Sequence, residues 1–193
     1  MNTKSEPLTT NQTMQLVHYG NGEFSRDKVK PIADEHFTKP LGGLWTSPID
    51  SKWGWKDWCS QENFGDLTHY FELEITGNVL TIDSKEDLDK LRWVNLTATA
   101  SGAGGYWIPL FEILEYENVD AIHLTVEGER KTRYSKPYNL YGWDCESVLI
   151  LNPDCITNVT DVVNVSRPKI NISKLDFGIG NEDIKRLFVK NNV

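Results

Sequence analysis

A histidine and a glutamate in this sequence have the chemistry of a site that handles a ligand. His18 lies near the end of the apolar run Gln15–Gly20, and its imidazole can donate a hydrogen bond to a ligand or accept one. Gly20 beside it lets a ligand approach the main chain. Glu146 enters a predicted strand whose continuation, Val148–Leu151, is fully apolar. Because a carboxylate at the mouth of a buried strand is costly unless it is paired or used, Glu146 is a candidate catalytic residue.

Tryptophans form the third candidate group, since four of the seven lie between Leu41 and Cys59. They are Trp45, on a predicted strand, and Trp53, Trp55 and Trp58, on a predicted helix. A flat indole can stack on a flat ligand ring, and a cationic ring gains a further cation–π attraction. We expect Trp45 with either Trp53 or Trp55 to form such a platform, and Trp58 to pack in the core.

Each of these signals also has a structural explanation. His18 can be a strand-edge residue beside a turn, the tryptophans can fill the core, and Glu146 can face solvent where its strand begins. A metal site is the least expected alternative, because the four histidines show neither an i, i+4 pair nor an HExxH motif.

The amino-acid composition limits the kinds of partner and the cellular compartment that we expect for this protein. The net charge is −8, which repels phosphate backbones and makes a nucleic-acid acceptor less expected than a protein or a small molecule. The three cysteines are odd in number and show no CxxC spacing, which fits a reducing cytoplasm. No run has the length of a membrane span, and the first residues lack the apolar region of a signal peptide. We therefore expect a cytoplasmic protein without a membrane partner.

Apolar periodicity and turn residues predict the elements that position these side chains. Strands are predicted at Gln15–Gly20, Leu44–Ser47, Tyr70–Ile75, Asn78–Asp83, Ala121–Val126, Cys145–Leu151 and within Ile156–Val165. Helices are predicted at about Ser51–Gln61, at Ser84–Val94, after Tyr106 and from about Asn181, and a polar loop at Glu129–Asp144. This mixture favours an α+β fold. We divide the chain into a flexible N-terminal arm at 1–13, one domain at 14–166, and a C-terminal extension with a short helix at 167–193.

In order and character, these segments resemble the ADP-ribosyltransferase superfamily, specifically its His–Tyr–Glu branch of diphtheria-toxin-like toxins and poly(ADP-ribose) polymerases. The stretch "GLWTSPIDSKWGWKDWC" is similar to the polymerases' strand-and-helix segment, with Trp45 in the tyrosine position. The stretch "CESVLILNPDCI" is similar to the strand that carries the glutamate. An extra residue, Tyr19, separates His18 from the glycine, and the likeness covers about Leu16–Ile156.

The resemblance implies an α+β fold in which two packed, mostly antiparallel β-sheets with flanking helices form an NAD cleft. It implies that the chain cleaves NAD, its substrate, and transfers ADP-ribose to an intracellular acceptor, a protein side chain. Glu146 is the implied catalytic residue. The implied NAD-binding residues are His18, Tyr19, Gly20, Trp45, Thr46, Ser47, Trp53 and Trp55, with no metal. Asp144, two residues before Glu146, stands where arginine-modifying relatives carry Glu or Gln.

The resemblance also implies which residue contacts each part of NAD. His18 holds the adenosine-side ribose, the Gly20 main chain holds the nicotinamide amide, and Trp45 with Trp53 or Trp55 sandwiches the nicotinamide ring. Thr46 or Ser47 bonds the amide or supports Glu146. By analogy, the chain is a phage or bacterial toxin or effector acting in the cytoplasm, including that of an infected host cell. Two alternatives stay open: a catalytically inactive transferase-like fold that binds a protein or nucleotide, and a carbohydrate-binding β-domain.

Overall fold

The computed structural model describes residues 8–34, 38–95 and 107–161. The predicted C-terminal extension and residues 1–7 of the predicted arm lie outside these ranges. Within the described ranges the strands are β1 (Thr10–Tyr19), β2 (Lys30–Ala33), β3 (Leu41–Pro48), β4 (Tyr70–Ile82), β5 (Trp93–Asn95), β6 (Trp107–Pro109), β7 (Ala121–Leu124), β8 (Ser147–Ile150) and β9 (Ile156–Asp161). The α-helices are α1 (Trp55–Glu62), α2 (Glu112–Tyr116) and α3 (Val126–Thr132), and short 3-10 helices span Arg26–Lys28, Glu86–Lys90 and Pro153–Cys155.

Five strands close into a barrel in the order β1-β3-β8-β7-β4, with β4 returning to β1. The closing pair is antiparallel and runs through ten register positions, from Thr10 opposite Val79 to Tyr19 opposite Tyr70. β4 and β7 are parallel, with Val79 opposite Ala121. β2 pairs with β3, β9 pairs with β4, and β5 and β6 form a separate two-stranded sheet.

The expected α+β fold of two packed sheets is wrong. Of the described residues, 39% are in strands and 22% in helices, and the sheet is a closed five-stranded barrel accompanied by three α-helices. The physical reason lies in β4, because the two predicted strands Tyr70–Ile75 and Asn78–Asp83 are one strand of 13 residues. This strand pairs with β1 along one edge and with β7 and β9 along the other. It therefore joins strands that an open arrangement would leave in separate sheets.

Gly77, in the middle of β4, allows a close approach at this joint. A Cβ atom at Gly77 would lie 2.7 Å from Asp120 Oδ2, so no larger residue fits without movement. Asp120 immediately precedes β7, and the same Oδ2 accepts a hydrogen bond of 2.8 Å from the Asn78 main-chain N–H. Its Oδ1 accepts another of 2.8 Å from Asn152 Nδ2. One half-buried aspartate thus connects β4, β7 and the turn after β8.

Two apolar clusters lie on the two sides of the barrel wall. The first receives side chains from all five barrel strands and is therefore the interior: Leu16, Leu44, Phe71, Leu73, Ile75, Val79, Ala121, Val148 and Ile150, extended by Cys155 and Ile156. The second joins the outer side of β4, β7 and β8 to the helices and loops, and it includes Leu80, Ile82, Ile122, Leu124, Leu149, Phe111, Leu114, Leu140 and Trp143.

Several element boundaries differ from the sequence predictions. α1 begins at Trp55 rather than Ser51, because Gly54 is its N-cap and the Asp57 carboxylate accepts from the Gly54 N–H at 3.0 Å. The predicted helix Ser84–Val94 is a 3-10 helix followed by the start of β5. α3 extends into the predicted polar loop, and the Thr125 hydroxyl caps it by accepting from the Gly128 N–H at 2.9 Å. β1 begins at Thr10 and so includes the last residues of the predicted arm.

None of the helices in the described ranges is both long enough and apolar enough to cross a membrane.

Candidate functional site

Glu146 lies at the start of β8 with a protein donor on each carboxylate oxygen. His123 Nε2 donates to Oε1 at 2.8 Å, and Ser51 Oγ donates to Oε2 at 2.5 Å. The Glu146 and His123 side chains are 12% and 13% exposed. His123 is on β7, two residues after the interior residue Ala121, so alternation along the strand directs it to the interior side. The cluster therefore lies at one end of the barrel interior.

The charge of Glu146 is stabilised by these two donors. Burial by itself raises the pKa of this carboxyl group, but the hydrogen bonds from His123 and Ser51 outweigh burial, and the net pKa is below its usual range. Glu146 is thus a fixed anion at neutral pH, which is the property that a developing positive charge on a substrate would require.

The main chain of Glu146 is tied to the segment that leads into α1. Its N–H donates to the Trp53 carbonyl at 2.9 Å, and its carbonyl accepts from Ser47 Oγ at 2.9 Å. The same Ser47 hydroxyl accepts from the Trp55 N–H at 2.9 Å. Ser47, predicted to support Glu146 or a ligand, therefore bonds to the Glu146 main chain. The neighbouring hydroxyl of Thr46 is buried and donates to the Val148 carbonyl at 2.8 Å.

Trp53 is the indole held beside Glu146. Its Nε1 donates to the Asp144 carbonyl at 3.3 Å, while its own carbonyl accepts from Glu146. The Asp144 carboxylate pairs with Arg133 Nη2 at 2.6 Å, which anchors the segment before β8 to the end of α3. Arg133 also pairs with Glu129 at 2.9 Å. These contacts fix the half-buried Trp53 ring relative to the carboxylate.

His18 is a neutral side chain with a partner on each ring nitrogen. Nδ1 donates to the Trp45 carbonyl at 2.7 Å, and Nε2 accepts from Asn21 Nδ2 at 3.2 Å. The ring stacks on Phe71 of the interior cluster with centroids 4.9 Å apart. Burial lowers the pKa of His18 and outweighs the opposing effect of the bond to Trp45. His18 thus faces the interior side of β1.

Tyr19 and Gly20 lie at the end of β1. The Tyr19 ring packs against Tyr70 at 5.5 Å, and burial, followed by the proximity of Tyr70, Asp57 and Glu72, raises its pKa. The Gly20 N–H donates to the His69 carbonyl at 2.9 Å. This N–H, expected to hold a ligand amide, already has a protein partner.

The Trp45 indole lies on the other side of the barrel wall from His18. Leu44 belongs to the interior cluster, so alternation along β3 turns the next side chain outward, where Trp45 packs on the outer cluster. Its ring meets Trp143 edge to face at 4.6 Å. The structure therefore brings the Trp45 carbonyl to His18, but it does not bring the Trp45 ring to the interior side where His18 and Glu146 lie.

A positive side chain covers Trp45. Lys39 Nζ lies 4.6 Å from the Trp45 ring centroid and 5.6 Å from that of Trp55. Burial lowers the pKa of Lys39, with nearby Asp144 acting in the opposite direction. Lys39 and Trp45 line an outer-face cleft of about 600 Å³, which Lys28, Lys30 and Tyr141 also border. We call this the lysine cleft.

The remaining tryptophans of the predicted platform form a separate aromatic group. Trp55 and Trp58 stack with centroids 5.0 Å apart, and Phe64 meets both rings at their edges. Phe64 is 54% exposed, and both indoles are half-buried. Trp58, expected in the core, thus packs in a cluster at the surface.

Sequence reasoning missed three groups of the site: His123, Ser51 and Lys39. The sequence does contain a signal for His123, because a histidine between Ile122 and Leu124 interrupts an otherwise apolar strand. Ser51 was assigned to the start of a helix, and its partnership with Glu146 joins residues 95 positions apart. Lys39 gives no local signal, because only the folded chain stacks it on Trp45.

A comparison of this chain with protein-family models, curated proteins and solved structures finds no match.

Proposed function

We propose that this chain is an NAD-dependent ADP-ribosyltransferase in which Glu146 is the catalytic carboxylate. The observation that supports the proposal is a largely buried Glu146 side chain, kept ionised by one histidine and one serine. A fixed anion in a site with little water stabilises a developing cation far more than the same anion does in bulk solvent.

The chemistry needs one such anion. When the bond between nicotinamide and ribose breaks, both electrons go to the nicotinamide nitrogen, which loses its positive charge and needs no general acid. The ribose carbon becomes cationic, and Glu146 stabilises it through the neighbouring ribose hydroxyl. A lone pair of the acceptor then forms the new bond, and the acceptor's proton passes to water. Without an acceptor, water takes that place and the chain hydrolyses NAD.

Trp53 is the better supported platform for the nicotinamide ring. It is half-buried, and hydrogen bonds on both sides of its segment hold it beside Glu146. Trp45 is less suitable, because the Lys39 ammonium covers its ring and repels a pyridinium cation. In this assignment the indole that stacks on the nicotinamide ring comes from the segment just before α1 rather than from β3.

His18 supports the assignment of a ribose on the interior side of β1. Its Nε2 accepts from the exposed side chain of Asn21 at 3.2 Å. A ribose hydroxyl can take the place of this amide as donor without changing the neutral state of the imidazole. The acceptor of ADP-ribose is proposed to be a protein of the cytoplasm, since the net charge of −8 disfavours a nucleic acid.

A second candidate function is a nucleotide-binding module without turnover. The observation that favours it is that both oxygens of Glu146 already have protein partners. A substrate hydroxyl must therefore share an oxygen with Ser51 or His123 or displace one of them.

Incubation of the full chain with adenylate-labelled NAD and a cell lysate tests the proposal. We expect nicotinamide release and labelled protein, and we expect Glu146→Gln to reduce both by roughly a hundredfold or more while circular dichroism stays unchanged. Glu127→Gln, at an exposed site on α3, is the matched control. NAD binding without nicotinamide release by the wild-type chain would favour the inactive module, and neither binding nor release would exclude both functions.

A further inference from the structure

The lysine cleft concentrates positive charge on a chain whose net charge is −8. Lys28, Lys30 and Lys39 border it, and among the described residues none of the three has a carboxylate within ion-pair distance. The nearest acidic influence on Lys39 is Asp144, whose carboxylate is bound to Arg133 at 2.6 Å. The charge of these lysines is therefore available to an anion.

Lys39 is held so that its ammonium faces this cleft. The contacts with the Trp45 and Trp55 rings fix its position, while burial has removed part of its hydration. An anionic ligand would compensate for this desolvation. A charge-assisted hydrogen bond in such a partly dry site is stronger than one on an open surface.

The walls of the lysine cleft are anchored to the core. Trp143 is fully buried and donates from Nε1 to the Thr38 carbonyl at 2.8 Å, and the Thr38 hydroxyl donates to the Tyr141 carbonyl. At the other wall, Gly42 has φ of +80°, and a Cβ atom there would lie 2.0 Å from the Pro31 carbonyl oxygen. The start of β3 thus packs against β2 with no room for a side chain at Gly42, which holds this wall of the cleft in place.

We propose that the lysine cleft binds a phosphorylated nucleoside, with its phosphates on Lys28, Lys30 and Lys39 and its base against Tyr141, while Trp45 holds Lys39 in place. The volume of about 600 Å³ is in the range of small-ligand pockets. Tyr141 is 58% exposed, so a ring entering from solvent meets its aromatic surface on the way to the ammonium groups.

This site goes beyond the proposed transfer reaction, because Trp45 is on the opposite side of β3 from His18 and Glu146. A free nucleotide suits it better than a nucleic acid strand. The three lysines border a single cleft, whereas a strand requires a continuous basic track that can bind many successive phosphates.

Calorimetry of the full chain with ADP, adenosine and inorganic pyrophosphate tests the proposal. We expect ADP to bind more tightly than either fragment, and its affinity to fall as salt is raised. Lys39→Met and Trp45→Leu should each weaken ADP binding roughly tenfold or more, whereas the exposed-site variant Lys85→Ala should leave it unchanged.

Lys28→Ala/Lys30→Ala provides a second variant, since both lysines are exposed and their loss cannot unfold the chain. Glu146→Gln separates this proposal from the transfer reaction, because it should abolish NAD cleavage and leave ADP binding intact. ADP affinity that is equal in Lys39→Met, Lys28→Ala/Lys30→Ala and Lys85→Ala would overturn the proposal, as would the absence of ADP binding at millimolar concentration.

Discussion

His123 Nε2 lies 2.8 Å from Glu146 Oε1, so an imidazole from β7 and a carboxylate from the start of β8 form one hydrogen-bonded unit at the end of the barrel. The strands that carry them are neighbours, with His123 opposite Val148 in the register. Since this bond lowers the pKa of Glu146, His123 is a positioning residue for this carboxylate in the proposed reaction.

Replacing His123 by phenylalanine should therefore reduce nicotinamide release roughly tenfold or more at neutral pH, because one donor to the charged carboxylate is lost. His123→Gln keeps a donor and should retain most of the activity. The pH profile distinguishes positioning from simple packing. The pKa of Glu146 should rise in His123→Phe, so the acidic limb of the profile should move to higher pH, and an unmoved limb would contradict this role.

Ser51→Ala removes the other donor to Glu146 and should raise the pKa of that carboxyl group in the same direction. Carboxyl titration followed by NMR measures this shift without any need for activity. Ser60→Ala, at an exposed position in α1, is the control and should leave the Glu146 titration unchanged. If Glu146 titrates identically in Ser51→Ala and in the wild type, the hydrogen bond from Ser51 contributes nothing to the charge state of Glu146.

Acid should weaken the fold in part through Asp87. Burial alone would raise the pKa of this carboxyl group, but hydrogen bonds from Lys90, Ser84 and the Asp83 N–H outweigh it and lower the pKa to about 2, below that of an ordinary aspartate. Because the folded pKa is depressed, the stabilisation is fully present above the unfolded value and is lost as pH falls towards about 2.

Urea unfolding across this pH range measures the contribution of Asp87. Asp87→Asn should cost about 1 kcal/mol at neutral pH, less than full linkage would give because water screens the pair with Lys90. At the acidic end the variant and the wild type should converge. Asp89→Asn, at an exposed position of the same 3-10 helix, is the matched control. An equal loss at all pH values would contradict the linkage to this carboxyl group.

The three cysteines should react slowly with thiol reagents in the folded chain. All three are buried and free, and burial raises the pKa of Cys59, that of Cys145 to about 11 and that of Cys155 to about 12. The thiolate is the reactive form, so at mildly alkaline pH Cys145 and Cys155 should react roughly a hundredfold more slowly than an ordinary thiol. Ellman's reagent should titrate all three promptly in urea, and rapid stoichiometric labelling without urea would contradict this burial.

Trp143→Phe should destabilise the chain by about 2 kcal/mol, because it leaves a small cavity and removes the donor to the Thr38 carbonyl. The midpoint of urea unfolding measures the change. Tyr116→Phe is the control, since Tyr116 is 90% exposed and its replacement should change stability by less than about 0.5 kcal/mol. Equal midpoints for the two variants would show that the Trp143 contacts are replaceable.

Local sequence patterns predicted several elements of the fold. The apolar run before Gly20, the residues around Trp45 and the run after Glu146 lie in β1, β3 and β8, as predicted. Glu146 is a candidate because its carboxylate precedes an apolar strand. The Asp87 carboxylate also accepts a hydrogen bond of 2.8 Å from the Ser84 N–H, a contact between residues three positions apart. These features depend on residues close together in the chain, which is why pattern reasoning can reach them.

Closure of the barrel was beyond that reasoning. It depends on the register between β1 and β4, in which Thr10 meets Val79, and no local pattern encodes a pairing across so long a stretch of chain. The side of β3 on which Trp45 lies has the same origin, because an isolated strand has no interior until its partners are known. The likeness of short segments to a transferase family could not supply this information.

The five strand pairings that form the barrel wall differ in length, and the shortest one joins β1 and β3. It contains two register pairs, Leu16 with Pro48 and Val17 with Ser47, whereas the β1–β4 pairing has ten. After Val17, the Trp45 carbonyl accepts a hydrogen bond from the His18 imidazole instead of extending the β1–β3 pairing. Local opening of a sheet requires the least free energy where the fewest main-chain hydrogen bonds join two strands. The β1–β3 pairing beside His18 is therefore the part of the barrel wall where local opening is expected to require the least free energy.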